Sequence, residues 1–332
     1  SVRTVIRHSM NQGRTNVFII GAPAGVYEEL QLRVREPCPP SDAKDPLSRM
    51  LAMMPHDDVP STVVDKYVGT APRVRLIRQL IMRAARSVRP VLIRGETGTG
   101  KEVVARCIHE VARGHNRLGA FSAVNCAAIS SDLFESELFG HVKGAFTGAT
   151  RDRPGLWRAA DGGTLFLDEV GELSWDHQGK LLRALQESRV KPVGGDREIP
   201  VNARVIAATN RDLFAMVQRG SFREDLFYRL RIFPITTPPL REHPDDIPML
   251  AAHLWARIAG PGLALAEEAL TALKHYLWPG NARDLEAVLI TVHSWFGAIG
   301  IGPDHIEAAA EHVGQRRAGD SPPTAANAIE MH

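Results

Sequence analysis

Apolar residues in the central part of the chain form short, nearly continuous runs of strand length. The five runs lie at residues 91–93, 120–125, 162–169, 203–210 and 231–235. Strands that are apolar along their whole length are typical of a parallel sheet with helices on both faces. Segments of helical periodicity alternate with the runs, so the pattern predicts an α/β fold with a parallel, doubly wound sheet.

Helical spacing is clearest in three segments of this central part. Apolar positions that share one helical face lead into the first run, at Ile77, Leu80, Ile81 and Ala84. Two further helices are predicted at residues 132–139 and 178–188. After residue 245 the pattern is helical only, with helices predicted at 245–258, 266–276, 281–295 and 303–311. This last region is expected to be a small C-terminal all-α domain.

The two ends of the chain carry little periodic signal. Residues 1–66 contain one possible strand, at 17–20, and prolines that break longer elements. We interpret 1–66 as an unassigned tail and linker, 67–240 as the α/β unit, 241–313 as the helical unit and 314–332 as a disordered tail.

Composition and charge argue against several classes of function. The 332 residues carry a net charge of only +2, which does not indicate a generally basic, nucleic-acid-binding surface. No apolar run is long enough to span a membrane, and no export signal is visible. The three cysteines lack C-x-x-C spacing and the histidines lack ligand spacing, so we expect reduced thiols, no zinc site and a cytoplasmic location. Since the chain starts at Ser1, we expect a fragment or a processed form.

A glycine-rich loop joins the first apolar run to a segment of helical spacing. Its G-x-x-x-x-G-K pattern, in that context, is typical of a phosphate-binding loop, whose backbone N–H groups and lysine hold a polyphosphate. The candidate nucleotide-binding residues are Gly95, Glu96, Thr97, Gly98, Thr99, Gly100, Lys101 and Glu102. Glu102 stands where a Ser or Thr usually binds Mg²⁺, so another group must hold the metal. The alternative is a glycine turn without a ligand.

Two acids end the third apolar run, and asparagines end two other runs. In an open parallel sheet, ligands lie beyond the carboxyl ends of the strands. We therefore expect Asp168 to hold Mg²⁺ and Glu169 to polarise the water that attacks the γ-phosphate. Asn210 would orient that water and Asn125 would hydrogen-bond Glu169. The alternatives are acids that cap the next helix and asparagines that form turns.

From Tyr67 to Val313 the chain resembles the AAA+ ATPase domain of bacterial enhancer-binding proteins, which activate RNA polymerase carrying sigma-54. The resemblance rests on motifs that begin at separated positions, including Gly-Glu-Thr-Gly-Thr-Gly-Lys-Glu, Val-Asn-Cys-Ala-Ala, Glu-Leu-Phe-Gly-His, Gly-Ala-Phe-Thr-Gly-Ala, Gly-Gly-Thr-Leu-Phe-Leu-Asp-Glu, Phe-Arg-Glu-Asp-Leu-Phe-Tyr-Arg-Leu and Trp-Pro-Gly-Asn-Ala-Arg-Asp-Leu. Glu102 also matches this family. The resemblance implies an AAA+ P-loop fold with a helical lid, ATP hydrolysis with Mg²⁺, and a homo-oligomeric ring of six or seven subunits.

The resemblance also assigns roles to residues outside the phosphate loop. Asn125 resembles the asparagine that couples Glu169 to the surface loops, Asn210 resembles the first sensor residue, and Arg283, on the lid, resembles the second. Arg223 and Arg229 resemble arginine fingers that complete a neighbouring subunit's site. Placed on one helix, these two would point about 120° apart, so they need not touch the same phosphate. The alternative for each is a solvated or salt-bridged surface charge.

The hexapeptide is the implied contact with the sigma factor. Its members are Gly144, Ala145, Phe146, Thr147, Gly148 and Ala149. The two glycines permit a tight, exposed reversal that leaves the aromatic ring at a loop tip. The alternative is that Phe146 folds back into its own domain.

The resemblance leaves some functional alternatives open. Another class of AAA+ machine would carry a different insertion in place of the hexapeptide, and a nucleotide-gated binding module would not turn over. No sensor domain is recognisable before Tyr67 and no helix-turn-helix after Val313. Promoter or enhancer DNA is an expected partner of the full-length family member, but this stretch is expected to show no sequence-specific DNA binding of its own.

Overall fold

The computed structural model describes residues 6–11, 14–19, 58–114, 119–260, 263–297 and 300–317. The chain separates into two compact units, Ser1–Pro55 and His56–His332. Within the first unit, strands β1 (Ile6–Asn11) and β2 (Arg14–Ile19) pair antiparallel. The strand predicted at 17–20 is confirmed as far as Ile19, and residue 20 lies outside the described part.

The second unit is built on a five-stranded sheet in which all neighbouring strands are parallel. Its strands are β3 (Val91–Arg94), β4 (Phe121–Asn125), β7 (Thr164–Asp168), β10 (Arg204–Thr209) and β11 (Phe233–Thr236). The spatial order is β11-β3-β10-β7-β4. Since β3 lies in the interior of the sheet, the loop that follows it lies beside the ends of β10 and β11. All five predicted strands are confirmed, with ends that differ by up to two residues.

Both faces of the sheet are covered, which explains the uninterrupted apolar runs. All six residues of β10 are buried. Its Ile206 and Ala208 pack into a core with helix α3, while Val205 and Ala207 pack into a second core with helix α6. Because side chains alternate across a strand, an all-apolar strand is the pattern that two such cores require.

The helices of the α/β part are α1 (Ser61–Lys66), α2 (Pro72–Arg86), α3 (Lys101–Arg113), α4 (Ser131–Phe139), α5 (Leu156–Ala159), α6 (Trp175–Glu187), α7 (Leu213–Gln218) and α8 (Glu224–Leu230). Two short antiparallel pairs add β5 (Gly140–His141) with β6 (Arg153–Pro154), and β8 (Arg189–Val190) with β9 (Ile199–Pro200). Helix α1 lies within the range expected to be a linker, and its Val63 is buried in the core beside α3.

The prediction that Arg223 and Arg229 share one helix is wrong. Helix α8 starts at Glu224, and Arg223 precedes it in an extended conformation, with φ −72° and ψ 129°. Its N–H donates to Gln178 Oε1 at 2.8 Å instead of entering the helical ladder. The angle expected between the two arginines therefore does not apply.

The C-terminal part is helical and has its own core. Its helices are α9 (Ile247–Ile258), α10 (Glu267–Ala272), α11 (Ala282–Phe296) and α12 (Pro303–His312). They enclose Trp255, Trp278 and Leu289 among other buried apolar residues. The expectation that the disordered tail begins at residue 314 is wrong for residues 314–317. They are bonded to the helical part, since Leu277 N–H donates to Arg316 O at 3.0 Å. Residues 318–332 lie outside the described part.

Cys107 and Cys126 are buried free thiols, and burial raises their pKa values to about 11 and about 12. Cys38 lies outside the described residues. Across the described ranges, no helix is long and apolar enough to cross a membrane.

Candidate nucleotide-binding and hydrolysis site

The glycine-rich loop connects β3 to α3 and takes left-handed backbone angles at two glycines. Gly98 has φ 77° and Gly100, the N-cap of α3, has φ 84°. Only glycine adopts such angles without strain, so the loop curls back over the start of the helix. The backbone N–H groups of the loop and the positive end of the α3 dipole then point to the same position, where a phosphate can bind.

Lys101 is the first residue of α3 and is only 7% exposed. Its Nζ donates to Gly95 O at 3.0 Å and to Glu96 O at 3.3 Å. The same atom lies 3.3 Å from Glu169 Oε1. The ammonium is therefore held between the loop and the acid that follows β7.

Glu169 follows β7 and has φ 51°, in the left-handed region that non-glycine residues seldom occupy. Its Oε2 accepts a hydrogen bond from Asn210 N–H at 3.1 Å. Asn210 Nδ2 in turn approaches Thr97 Oγ1 at 3.5 Å. The fold thus brings the loop, the acid and the asparagine together, from three separated sequence positions.

Asp168 ends β7 directly beside this cluster. Burial, and next the charge of Glu169, raise the pKa of its carboxyl, while Lys101 opposes the shift. Two adjacent carboxylates against one ammonium leave an excess of negative charge. The described residues contain no group of three or more His, Cys, Asp or Glu side chains that could hold a metal alone. One carboxylate that shares a metal with substrate phosphates is how proteins commonly hold Mg²⁺, so these residues fit that ion.

Asn125 ends β4, opposite Asp168 in the sheet register. Its Oδ1 accepts a hydrogen bond from Ala127 N–H at 2.9 Å and so forms a turn. The carboxylate of Glu169 contacts Lys101 and Asn210, and the hydrogen bond expected from Asn125 is not formed among the described residues. The turn-forming alternative holds in this structure because the side chain is bent back onto its own backbone.

A cavity of about 630 Å³ lies between the loop, the two acids and the lid. Arg283 of α11, the candidate second sensor, is among its lining residues. The lid touches the loop directly, because Ala282 N–H donates to Gly98 O at 3.1 Å. A Cβ on Gly98 would lie 2.0 Å from Gly280 O, so glycine is required at this contact.

Sequence reasoning missed the residues that join the lid to the phosphate loop. Asn281 is 1% exposed; its Nδ2 donates to Thr97 O at 2.9 Å and its Oδ1 accepts from Leu240 N–H at 2.7 Å. Arg241 pairs with both carboxylate oxygens of Glu96, at 2.7 and 2.5 Å. Asn281 follows Pro279-Gly280, which indicates a turn, and belongs to the motif Trp-Pro-Gly-Asn-Ala-Arg-Asp-Leu, but neither signal indicates its partner.

Arg223 and Arg229 are not among the residues that line the cavity. The guanidinium of Arg223 donates to Asp225 at 3.1 and 2.9 Å and lies 5.3 Å from the centre of the Trp175 ring. Arg229 donates to Leu185 O at 3.1 Å. Within one chain, both arginines therefore have local partners away from the loop.

The hexapeptide lies in the loop between β5 and β6. Gly144 and Gly148 have φ 84° and 101°, and Gly144 N–H donates to Ala149 O at 2.8 Å, which closes a tight reversal. Phe146 is 40% exposed and makes an edge contact with the His141 ring, with centroids 5.0 Å apart. Ala149 is buried, whereas Thr147 is exposed. The loop thus presents an aromatic ring and a hydroxyl on the surface.

Comparison with models of protein families identifies the family of this chain. Residues 67–236 match the model of the family described as the Sigma-54 interaction domain, and residues 241–321 match the AAA+ ATPase lid domain. The chain belongs to the sigma-54 interaction domain family of AAA+ ATPases.

Individual relatives agree with this family. The chain is 50% identical over 231 residues to the response regulator protein PilR of Pseudomonas aeruginosa, covering 68% of this chain and 52% of PilR. It is 51% identical over 232 residues to the Nif-specific regulatory protein of Klebsiella pneumoniae, covering 68% and 43%. The crystal structure of NtrX from Brucella abortus in complex with ATP matches with TM-score 0.62 and 34% identity, covering 72% and 55%. The chain therefore spans about half the length of the curated relatives it matches.

Proposed function

We propose that this chain is an ATP-hydrolysing activator that remodels RNA polymerase carrying sigma-54 and so promotes open-complex formation at promoters. The observation that carries the proposal is the convergence of Lys101, Glu169 and Asn210 on the phosphate loop. Family membership supports it, as do the ATP and ADP complexes of the similar protein NtrX.

In the proposed reaction, the loop from Gly95 to Lys101 binds the β- and γ-phosphates through its N–H groups and the Lys101 ammonium. Glu169 polarises the attacking water and accepts its proton, and Asn210 orients that water. Asp168 would hold Mg²⁺, and the bound ion would supply positive charge for the phosphate oxygens. Arg283 and the lid turn around Asn281 close over the loop, so that nucleotide contacts involve both the sheet and the lid.

The active form is proposed to be a homo-oligomeric ring of six or seven subunits. Arg223 and Arg229 lie away from the cavity of their own chain, which supports action on a neighbour's γ-phosphate. A head-to-tail interface of this kind closes into a ring when its rotation permits. An arginine supplied by a neighbouring subunit stabilises charge in the transition state and contributes little to binding of the substrate in the ground state.

The exposed hexapeptide is the proposed contact with the sigma factor. Phe146 supplies apolar area and Thr147 a hydroxyl, and a partner surface can bury both. Loss of the γ-phosphate would change the position of this loop through Glu169 and through Asn125, whose side chain would first have to leave its turn onto Ala127 N–H. Promoter or enhancer DNA is a proposed partner of the full-length protein.

The remaining assignments follow from the same proposal. Residues 67–240 form the nucleotide-binding subdomain and 241–313 the lid, while 1–66 carry no assigned role. An activator of polymerase acts in the cytoplasm.

Two substitutions test the catalytic proposal. Lys101→Ala should abolish ATP binding because it removes the positive charge at the phosphates. Glu169→Gln should retain binding but lose turnover, because an amide cannot accept the proton of water. Binding is measured by calorimetry and turnover by phosphate release, with Glu187→Gln, an exposed acid of α6, as the matched control. Turnover of Glu169→Gln at the parent rate would refute the assignment.

The same measurements separate the alternatives. A nucleotide-gated module predicts ATP binding without phosphate release in the parent protein. If the chain is an AAA+ machine of another class, its ATP turnover should not depend on sigma-54 polymerase and should not activate it. The exposed hexapeptide favours the sigma-54 activator over another AAA+ class, and the presence of Lys101, Asp168, Glu169 and Asn210 favours turnover over a gated module.

A further inference from the structure

Asp246 connects the lid to the segment that precedes helix α2. It ends a 3₁₀ turn just before α9 and is 2% exposed. Its Oδ1 accepts hydrogen bonds from Thr70 N–H at 2.6 Å and from the Thr70 hydroxyl at 3.0 Å. Ala71 N–H lies 3.3 Å from Oδ1 and 3.2 Å from Oδ2. One buried carboxylate thus accepts hydrogen bonds from two residues that lie 176 and 175 positions earlier in the chain.

The hydrogen bonds keep this carboxylate charged. Burial alone would raise the pKa of Asp246, but donation from Thr70 and Ala71 outweighs burial, so the pKa lies below its ordinary value. His243 Nδ1 is 3.2 Å from Oδ2. Arg78, another charge close to the group, favours the anion.

The backbone at Gly69 is shaped to admit the carboxylate. Gly69 has φ 139°, and a Cβ there would lie 2.6 Å from Asp246 Oδ2. Arg75 Nε donates to Thr70 O at 2.8 Å, and Arg78 Nη2 donates to Tyr67 O at 2.6 Å. The segment from Tyr67 to Ala71 is therefore held through its N–H groups by the lid and through its carbonyls by α2.

This segment and the lid form walls of the nucleotide cavity. On one side lie Tyr67 and Val68, and the Tyr67 ring is 3.3 Å from where a Cβ on Gly100 would lie. On the other side, α9 begins at the residue after Asp246 and contributes Leu250 and Leu254. Tyr67, Val68, Leu250 and Leu254 give these walls apolar surface, and α9 adds the polar side chains of His253 and Arg257, whereas Lys101, Asp168 and Glu169 are grouped around the loop. Apolar surface with a few polar groups suits a planar base and sugar.

We propose that Asp246 is a positioning residue for the nucleoside part of the substrate, because it fixes the Tyr67–Val68 wall against the α9 wall. The inference rests on the proposed binding of ATP and deepens it. A residue that only stabilised the fold would weaken every ligand of the cavity alike. A residue that sets the spacing of these walls weakens ligands with a nucleoside and spares those with phosphates alone.

The test compares ATP with inorganic triphosphate as a competitor. Asp246→Ala should raise the KM for ATP by about tenfold, as expected when hydrogen bonds to a charged group are lost, and leave kcat within about twofold. The inhibition constant of inorganic triphosphate should stay at the parent value. Asp245→Asn is the matched control, since the neighbouring Asp245 is exposed and pairs only with Lys274 at 3.0 Å among the described residues.

A milder pair of variants keeps the test decisive if Asp246→Ala does not fold. Thr70→Ala removes one hydroxyl donor and should raise the KM by a few-fold, and Thr70→Ser should restore it. An unchanged KM in these variants, or an equal loss of ATP and triphosphate binding, would overturn the inference while ATP binding by the parent stands. Failure of the parent to bind ATP would overturn the proposed function, and this inference with it.

Discussion

Lys101 and Phe146 stand at the two ends of the proposed mechanism, and the fold holds them in opposite ways. Lys101 is 7% exposed and is fixed by two loop carbonyls and Glu169. Phe146 is 40% exposed and has one aromatic contact, with His141. A group that stabilises developing charge needs a position fixed in advance, whereas a ring that meets a partner needs surface to bury.

The difference extends to how substitutions should act. The cavity is assembled from the ends of several strands and from the lid, so changes there should alter chemistry in the isolated protein. Phe146 and Thr147 of the hexapeptide are exposed, so changes at these two residues should be silent until the partner is present. Four predictions test this contrast, from the largest effect to the smallest.

The largest effect is expected at the arginines outside the cavity. Arg223→Ala or Arg229→Ala should lower turnover by about 10³-fold and leave ATP affinity near normal, because a finger supplied by a neighbour acts on the transition state. The measurement is phosphate release per subunit together with ATP affinity. Arg231→Ala is the control, because Arg231 is exposed and its guanidinium lies over Phe227, 5.5 Å from the ring centre.

Mixed rings make this test sharper. Arg229→Ala protein combined with Lys101→Ala protein should recover part of the activity, since some sites then contain an intact loop and an intact finger. Absence of recovery, with mixed assembly verified, would count against action between subunits.

The second effect concerns the partner and not the chemistry. Phe146→Ala and Thr147→Ala should abolish binding to sigma-54 in the presence of ADP with aluminium fluoride, and also open-complex formation. Their ATP turnover should stay within about twofold of the parent, because the loop lies outside the cavity. Leu133→Ala, at an apolar residue of α4 that is 49% exposed, is the control. Polymerase activation by both loop variants would show that another surface makes the contact.

The third effect tests whether the His141 contact restrains Phe146. The His141 ring is held by Ser136, whose Oγ lies 2.7 Å from Nδ1. An aromatic edge contact contributes about 0.5–1.5 kcal/mol, so His141→Ala should strengthen sigma-54 binding without the aluminium fluoride complex by roughly two- to tenfold. Ser136→Ala should act in the same direction and more weakly. Weaker binding by His141→Ala would show that His141 supports the active loop.

The smallest effect is on stability. Burial and Glu169 raise the pKa of Asp168, so the folded state binds this proton more tightly than the unfolded chain. The carboxylate therefore lowers the free energy of unfolding above the raised pKa, and this cost fades as the pH falls through it. Asp168→Asn should raise the Tm of the nucleotide-free protein at pH 7 by roughly 1–2 °C and abolish Mg²⁺-dependent turnover. Calorimetric scans from pH 7 downward measure the difference, which should shrink as the pH falls towards the ordinary carboxyl range.

Sequence by itself determined the architecture and the members of the reactive cluster. The strands are buried on both faces, so their apolar runs could be recognised without knowledge of their neighbours. The phosphate loop was readable because its backbone shape requires glycine at Gly98 and Gly100. The carboxyl ends of parallel strands meet at one edge, which placed Asp168, Glu169 and Asn210 beside that loop.

Only the tertiary structure decided which side chains become partners across large sequence separations. Asn281 with Thr97, Arg241 with Glu96 and Asp246 with Thr70 each join the lid to the α/β part. Neither periodicity nor spacing marks such pairs, because a hydrogen bond depends on where two elements pack and not on the local pattern of either. For the same reason, the position of Arg223 ahead of α8 and the turn of Asn125 onto Ala127 followed from packing and local hydrogen bonds.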